Sequence, residues 1–301
     1  MKVSDYLSRD DVAYFSARSD WQAWRLVLGN WLFIATLFIA VAAWPNALSI
    51  LLAVVLLAGR QLALAVLMHD CGHRTLFRTA RLNDVVGQWL CALPVMNDQP
   101  TYARRHLEHH RKAGSRDDPD LANYQAYPVP FPSFRRKVIR DFTGQTGFKL
   151  MSYVFRAASG VFDRDKRASA LPFVRQLLAQ LALFVILVAC GIGWTFLVWA
   201  VAYMTVFMFV IRVRQIAEHG AVPDLFDPDA RLNTRTVEAP WWQRMLFAPC
   251  GVNFHMEHHF MASVPCYKLR ELRQHLRSRH ALDEVPEFHG YGALLRHVVV
   301  V

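Results

Sequence analysis

Residues 27–68 read VLGNWLFIATLFIAVAAWPNALSILLAVVLLAGRQLALAVLM, two apolar stretches at 27–44 and 49–68 joined by the turn PNAL. About 20 apolar residues at a rise of 1.5 Å each cross the hydrocarbon core of a bilayer, so both stretches are long enough to span a membrane. The turn between them is too short to hold a domain. This pattern predicts a transmembrane helical hairpin.

A second pair of apolar stretches, 171–190 and 194–213, is separated by GIG and has the same form. Hydrophobic residues make up 54% of the 301 residues and charged residues 19%, which is too apolar for an ordinary soluble domain. Residues 85–96 are apolar but short and contain Pro94, which indicates an interfacial or re-entrant segment. The expected fold is an all-α membrane protein with four transmembrane helices in two hairpins.

The positive charges predict how the hairpins are oriented. Residues 69–170 contain 17 Lys and Arg residues, whereas the two hairpin turns contain none. By the positive-inside rule, a lead-in of 1–26 and a helical cap made of 69–170 and 214–301 face the cytoplasm. We expect 1–301 to form a single multi-pass domain. No signal-peptide pattern is evident, and the five scattered cysteines fit a reducing compartment.

Three histidine-rich segments lie in the predicted cap: HDCGH at 69–73, HLEHH at 106–110 and HMEHH at 255–259. Histidines three or four positions apart share one helix face, so each segment can direct several imidazoles toward one point. Neutral imidazole is a common ligand of iron, zinc, copper and nickel. A chance H-x-x-H-H is expected in roughly a few of a hundred such chains, so its repetition indicates a metal site. The candidate ligands are His69, His73, His106, His109, His110, His255, His258, His259 and, in RQIAEHG after the fourth span, His219.

The number of histidines predicts more than one metal ion. Zinc takes four ligands and octahedral metals six, so nine imidazoles are most simply shared between two ions. Gln215 lies one helical turn before His219 and is placed to hydrogen-bond a metal-bound water. Asp70, Glu108 and Glu257 are interpreted as groups that orient histidines or cap helices. The four remaining histidines are expected at the surface of a basic tail: His275, His280, His289 and His297.

These segments resemble those of the membrane fatty acid desaturase family. The resemblance covers roughly residues 30–275 and is carried by HDCGH, by RRHLEHH (104–110) followed by DDPD, by RQIAEHG (214–220) and by NFHMEHHFMASVPCYKLREL (253–272). It implies four membrane helices beneath a cytosolic helical cap and a non-haem di-iron centre held by the box histidines. His219 then matches an additional ligand, and Gln215 departs from the asparagine of related stearoyl-CoA desaturases.

The resemblance also implies a reaction and its co-reactants. In this family iron activates dioxygen, abstracts hydrogen from an unactivated methylene and leaves a double bond, so we expect an oxidoreductase of fatty acid metabolism. Two electrons per turnover come from a donor. The chain has neither a His-Pro-Gly-Gly motif nor a cysteine set for an iron–sulfur cluster. We expect a separate ferredoxin, rubredoxin or cytochrome b5 as donor, an acyl lipid as substrate and no nucleic acid as partner.

Other functions fit the same pattern. Relatives on this scaffold hydroxylate or ketolate lipids, carotenoids or sphingolipids, or decarboxylate fatty acids to alkenes, although HHFMASVPCYKL (258–269) looks most like acyl-lipid desaturases. A non-enzymatic zinc-binding membrane protein would use the same imidazoles without consuming oxygen.

Arg60 lies inside the second predicted span, where a charge is costly. Nine positions separate it from His69, which places the two residues on opposite faces of a helix. The sequence leaves two interpretations open, a structural pairing or snorkelling role and a role near substrate.

Overall fold

The computed structural model describes residues 2–283 and 285–300, which are mostly helical. Two π-helical segments, Gly87–Ala92 and Tyr203–Phe207, continue neighbouring helices. The α-helices are α1 (Arg9–Ser16), α2 (Asp20–Ala43), α3 (Ala47–Gly72), α4 (Ala80–Val86), α5 (Gln99–Lys112), α6 (Phe131–Phe142), α7 (Gln145–Ser159), α8 (Arg167–Ala189), α9 (Thr195–Ala202), α10 (Met208–His219), α11 (Ala230–Asn233), α12 (Trp241–Phe247), α13 (His255–Phe260), α14 (Leu269–Ser278) and α15 (Tyr291–Val298).

Four helical stretches are long and apolar enough to cross a membrane: Arg9–Ala43, Ala47–Gly72, Arg167–Ala189 and Thr195–His219. Each predicted span overlaps one of them. The second and fourth stretches continue past the predicted ends of the spans, and both extensions carry histidines of the candidate site. The long helices therefore deliver site residues directly from the apolar part of the molecule.

Local sequence explains the sharp turn between α2 and α3. The Asn46 side chain accepts a hydrogen bond from the Ser49 N–H, and Ser49 Oγ accepts one from the Asn46 N–H. This capping box satisfies amide groups that would otherwise lack partners at the start of α3. The two helices then pack against each other along their length.

The long helices present apolar side chains outward. On α2, Leu32 and Ile39 are exposed, whereas Phe38 is buried and lies against Trp199 of α9. A groove of about 1240 Å³, lined mainly by apolar side chains, runs between α2 and α8. Exposed apolar surface of this extent is typical of helices that contact lipid.

The central helix is α3, which packs against α2, α5, α9 and α12. Its second half is buried almost continuously as far as Cys71. Gly59 allows α12 to approach closely, because a Cβ atom there would lie 2.5 Å from the carbonyl oxygen of Met245. The burial and close packing of α3 fix the position of the first histidine segment at its end.

The remaining α-helices are shorter than the four long stretches, and α4, α5 and α12 among them pack against α3. Two parallel pairs of two-residue strands depart from the all-α expectation: Val129–Pro130 pairs with Val299–Val300, and Val237–Glu238 pairs with Phe288–His289. Both pairs join a segment near residue 300 or 288 to an earlier loop. The described residues contain no closed sheet, and these pairs connect the last part of the chain to earlier segments by backbone hydrogen bonds.

Candidate metal centre

Four helices carry the nine candidate ligands. His69 lies in the last turn of α3, His73 follows that helix as its C-cap, and His219 ends α10. The two H-x-x-H-H boxes lie on α5 and α13. Because α3 packs against both α5 and α10, residues far apart in sequence meet where these helices end.

The structure brings the nine histidines together in two groups. Within each group, one ring nitrogen per residue lies within 4.8 Å of the corresponding nitrogen of every other member. Site 1 contains His69, His73, His106, His110 and His258, and site 2 contains His109, His219, His255 and His259. The sites adjoin, because the His110 ring stacks on the His259 ring with centroids 4.2 Å apart.

Within each site, the distances between ring nitrogens match those expected between two ligands of one metal ion. In site 2, Nε2 of His255 lies 2.9 Å from Nε2 of His219. In site 1, Nε2 of His110 lies 3.1 Å from that of His106 and 3.0 Å from that of His258. Two nitrogens each about 2.1 Å from an ion and about 90° apart are roughly 3.0 Å from each other. The spacing therefore fits a shared metal ion in each site.

Hydrogen bonds at the second ring nitrogen determine which nitrogen faces each centre. Nδ1 of His69 lies 2.9 Å from a carboxylate oxygen of Asp70, and Nδ1 of His219 lies 2.9 Å from the carbonyl oxygen of Asn233. Both acceptors require the proton on Nδ1, so Nε2 carries the lone pair. The buried Nε2 atoms of His69 and His73 have no hydrogen-bond partner among the described residues. Buried polar atoms are normally paired, and a metal would pair these.

His109 of site 2 is oriented by Asp118, a residue that the sequence interpretation did not single out. The Asp118 carboxylate oxygens lie 2.8 and 3.0 Å from Nδ1 of His109, and the Tyr124 hydroxyl donates to the same carboxylate. Burial opposes ionisation of Asp118, but the hydrogen bonds from His109 and Tyr124 outweigh it and lower its pKa. The sequence signal for Asp118 was its place in DDPD, after the histidine box on α5.

Burial favours the neutral form of several imidazoles in the two sites. It lowers the pKa of His73 to about 3, with a smaller contribution from His69. It also holds the pKa of His106, His255 and His258 well below the usual range of histidine. A metal binds deprotonated imidazole, so these rings have the protonation state of ligands at neutral pH.

The two glutamates in the middle of the boxes have other partners than histidines. Glu108 is half-buried and pairs with Lys112 at 2.9 Å. Glu257 is fully buried and accepts hydrogen bonds of 2.5 Å from Thr236 and from Arg273. The middle position of an H-x-x-H-H segment points away from the histidine face of a helix. Of the three acidic residues interpreted as orienting histidines or capping helices, Asp70 contacts a ring, whereas Glu108 and Glu257 pair with Lys112 and Arg273.

Two residues of α10 lie beside site 2. Gln215 lines a cavity of about 110 Å³ that His109, His219 and His255 also line, and this is room for a few water molecules. Glu218 was not singled out from the sequence, and its carboxylate lies 3.6 Å from Nδ1 of His255. Site 2 is therefore bordered by a small polar cavity as well as by orienting groups.

The four other histidines lie outside the two groups. His280, His289 and His297 are exposed, as the sequence predicts. His275 is half-buried and packs edge-on against Phe15 at 5.4 Å between ring centroids. It departs from the surface expectation because α1 lies over this part of α14, a contact between distant segments.

Comparison with known proteins agrees with this geometry. The model of the fatty acid desaturase family matches residues 42–291. Dihydrorhizobitoxine desaturase from Bradyrhizobium elkanii is 25% identical over 236 residues, which cover 74% of this chain and 66% of that protein. The sn-1 oleoyl-lipid 12-desaturase from a Synechocystis species is 26% identical over 221 residues, covering 68% of this chain and 62% of that protein. The chloroplastic omega-6 fatty acid desaturase from Glycine max is 24% identical over 234 residues, covering 70% and 52%.

The matched region spans about two thirds or less of the length of these relatives. The family match nevertheless covers most of this chain and includes every histidine of sites 1 and 2. With two groups of imidazoles at the ends of long apolar helices, the chain belongs to the fatty acid desaturase family.

Proposed function

We propose that this chain is an oxygen-dependent membrane desaturase that introduces a double bond into a fatty acyl chain at a di-iron site. The observation that supports this most strongly is the pair of adjoining imidazole groups, in which rings of site 1 and site 2 touch. Nine imidazole ligands in two groups suit two transition-metal ions and not one. The names of the relatives agree with a desaturation reaction.

In this proposal the five histidines of site 1 together hold one iron ion, and the four histidines of site 2 together hold a second. When bound, the irons would supply the activation of dioxygen and the abstraction of hydrogen from an unactivated methylene, chemistry that side chains lack. Asp70 and Asp118 hold His69 and His109 in the required tautomer. Gln215, from the cavity beside site 2, would hydrogen-bond a water there.

The electron balance requires a partner. Removing two hydrogen atoms from an acyl chain yields two electrons, whereas reduction of dioxygen to two waters consumes four. The other two electrons, with two protons, come from a separate donor, and we propose a ferredoxin, rubredoxin or cytochrome b5. The cysteines of the described residues are free and dispersed, and the net charge of +10 would attract an acidic donor.

We also propose the membrane arrangement predicted from the loops. The four long helices would form two hairpins, and both histidine sites would lie on the cytoplasmic side, at the ends of α3 and α10. The concentration of Lys and Arg in residues 69–170 supports this orientation. The exposed apolar faces of α2 and α8 would then contact lipid.

The substrate class is proposed as a fatty acyl chain carried by a lipid. Two of the three relatives described above carry fatty acid or oleoyl-lipid in their names, and the other is named for dihydrorhizobitoxine. The apolar groove between α2 and α8 supports this proposal, because its lining would suit a hydrocarbon chain.

The decisive experiment is expression in a host that makes only saturated acyl chains, together with a compatible electron donor. Mass spectrometry with double-bond location should show acyl chains that have lost two hydrogen atoms, absent with a His258→Ala variant. Gain of one oxygen instead would indicate a hydroxylase, and loss of the carboxyl carbon an alkene-forming decarboxylase. Zinc in place of iron, with no oxygen consumption, would support a non-enzymatic zinc-binding protein.

A further inference from the structure

A second polar site lies away from the histidines, between α2, α3 and α12. A cavity of about 400 Å³ there is lined by Arg25, Arg60 and Arg244, together with Asn30. The described lining residues include no Asp or Glu. Three guanidinium groups thus face one cavity without an acidic side chain to balance them.

Arg60 is partly buried among groups that are neutral. One of its terminal nitrogens donates to the carbonyl oxygen of Met245 at 2.6 Å, another lies 3.4 Å from Asn30 Oδ1, and its guanidinium sits over the Phe33 ring. Its Nε is buried and has no hydrogen-bond partner among the described residues. A buried cation with neutral partners is costly, which indicates that an anion completes the site.

Arg244, on α12, lines the same cavity. Its Nε is also buried without a hydrogen-bond partner in the described part of the chain. Arg25 is exposed on α2 and lines the same cavity. Guanidinium groups bind phosphate oxygens through paired, charge-assisted hydrogen bonds, so this set suits a phosphate group better than a single-point anion.

The position of the cavity identifies the source of the phosphate. Trp241 and Trp242, at the start of α12, expose 67% and 57% of their surface. Exposed tryptophans beside apolar helices are typical of the headgroup level of a membrane. Arg25 lies near the start of α2, which is the end proposed to face the cytoplasm. The cavity therefore opens at the depth of lipid headgroups.

The cavity is separate from the histidine sites. Arg60 and His69 lie nine positions apart on α3, about 14 Å along the axis and on opposite faces. The cavity is nevertheless close in sequence to the histidine box on α13, because Cys250 and Gly251 line it and lie just before His255 in the chain. Occupation of the cavity would hold α12 against α3 next to that box.

We propose that this cavity binds the phosphate of an anionic phospholipid from the cytoplasmic leaflet. The choline of a zwitterionic lipid would meet three cations, so lipids with net negative headgroups are selected. This inference rests on the proposed membrane orientation but not on the proposed reaction, and its test does not use activity.

Native mass spectrometry of the purified, delipidated full chain would test the proposal. Phosphatidylglycerol and phosphatidylcholine would be added at equal concentration, and the fraction of protein with bound lipid measured. We expect tighter binding of phosphatidylglycerol, weakened about tenfold by Arg244→Gln and further by Arg25→Gln/Arg244→Gln, because each lost charged contact is worth about 1.5 kcal/mol. Arg60→Lys, which retains the charge but not the paired hydrogen bonds, should have an intermediate effect.

Arg270→Gln is the matched control, since Arg270 is exposed on α14 and its loss changes the net charge equally. Only variants that elute as folded monodisperse protein would be compared. Equal affinity of Arg25→Gln/Arg244→Gln and Arg270→Gln for phosphatidylglycerol would overturn the proposal, as would equal binding of phosphatidylcholine by the natural chain. A third arm uses inorganic phosphate. If it protects against thermal unfolding as well as the lipid does, the source is free phosphate and the lipid assignment fails.

Discussion

The two H-x-x-H-H boxes have the same sequence pattern but divide their histidines in opposite ways. On α5, the outer pair His106 and His110 belongs to site 1, and the remaining histidine, His109, belongs to site 2. On α13, the outer pair His255 and His259 belongs to site 2, and the remaining histidine, His258, belongs to site 1. Each site is therefore built from both boxes. A local motif decides which residue types are ligands, whereas helix packing decides which ion each would bind.

The supports of the two boxes differ as well. The α5 helix has 14 residues and is preceded by its N-cap Asp98, whose side chain accepts a hydrogen bond from the Thr101 N–H. The α13 helix has six residues, no side-chain cap, and a buried glutamate tied to Arg273. Isolated helices this short are unstable in water. The first box thus lies on a longer, capped helix, whereas the second depends more on its surroundings.

The largest expected effect comes from the two histidines that cross between sites, His109 and His258. Each is the single ligand that its box gives to one site, so no neighbour on its helix replaces the lost nitrogen. We expect His109→Ala and His258→Ala to reduce desaturation more than 100-fold, about 3 kcal/mol or more in transition-state free energy. Iron per chain, measured by elemental analysis, should fall in both.

His297→Ala is the control for this experiment, because His297 is exposed and lies outside both sites. It should retain the iron content and activity of the natural chain. Full iron content and turnover in either crossing variant would show that the division of the boxes between sites is incorrect.

The next effect concerns stability and separates the two boxes. Glu257→Gln removes the buried charge that pairs with Arg273 and leaves one acceptor oxygen where two now accept from Thr236 and Arg273. Arg273 retains Glu238 and Glu287 as partners, so we expect a loss near the lower end for a broken buried pair, about 3 kcal/mol. The measurement is unfolding of detergent-solubilised protein monitored by tryptophan fluorescence.

The matched change is Glu287→Gln, which leaves the buried contact between Glu257 and Arg273 in place. Glu287 is partly exposed and shares its contact with Arg277, so its removal should cost less than that of Glu257. If the two variants are equally stable, the buried glutamate is not what holds the short helix.

A smaller effect tests the group that orients the first box in site 2. Asp118→Asn replaces an acceptor by an amide, which weakens its control of the His109 tautomer. We expect iron affinity of site 2 to fall about 10- to 100-fold with little loss of folded protein. Asp120→Asn is the control, since Asp120 contacts the exposed Arg105 and not a ligand. Equal effects of the two variants would remove the orienting role of Asp118.

The length of the apolar runs was sufficient to predict the four long helices, and histidine spacing was sufficient to predict which rings of one segment share a helix face. Neither was sufficient to predict the residues that orient the rings. Asp118 reaches His109 through a loop that folds back on α5, and Glu218 reaches His255 across two helices. Glu257 sits at the same motif position as Glu108, yet only tertiary packing buries it.

The smallest expected effect is that of Glu108→Gln. Glu108 is half-buried, and its solvent-accessible ion pair with Lys112 joins two residues one turn apart on α5. Water screens such a pair, and α5 has its own cap and length, so thermal unfolding and iron content should not change measurably. Loss of iron in this variant would show that α5 depends on its surface pair to hold His106 and His110. The first box would then need external support as the second does, and the contrast between the two boxes would disappear.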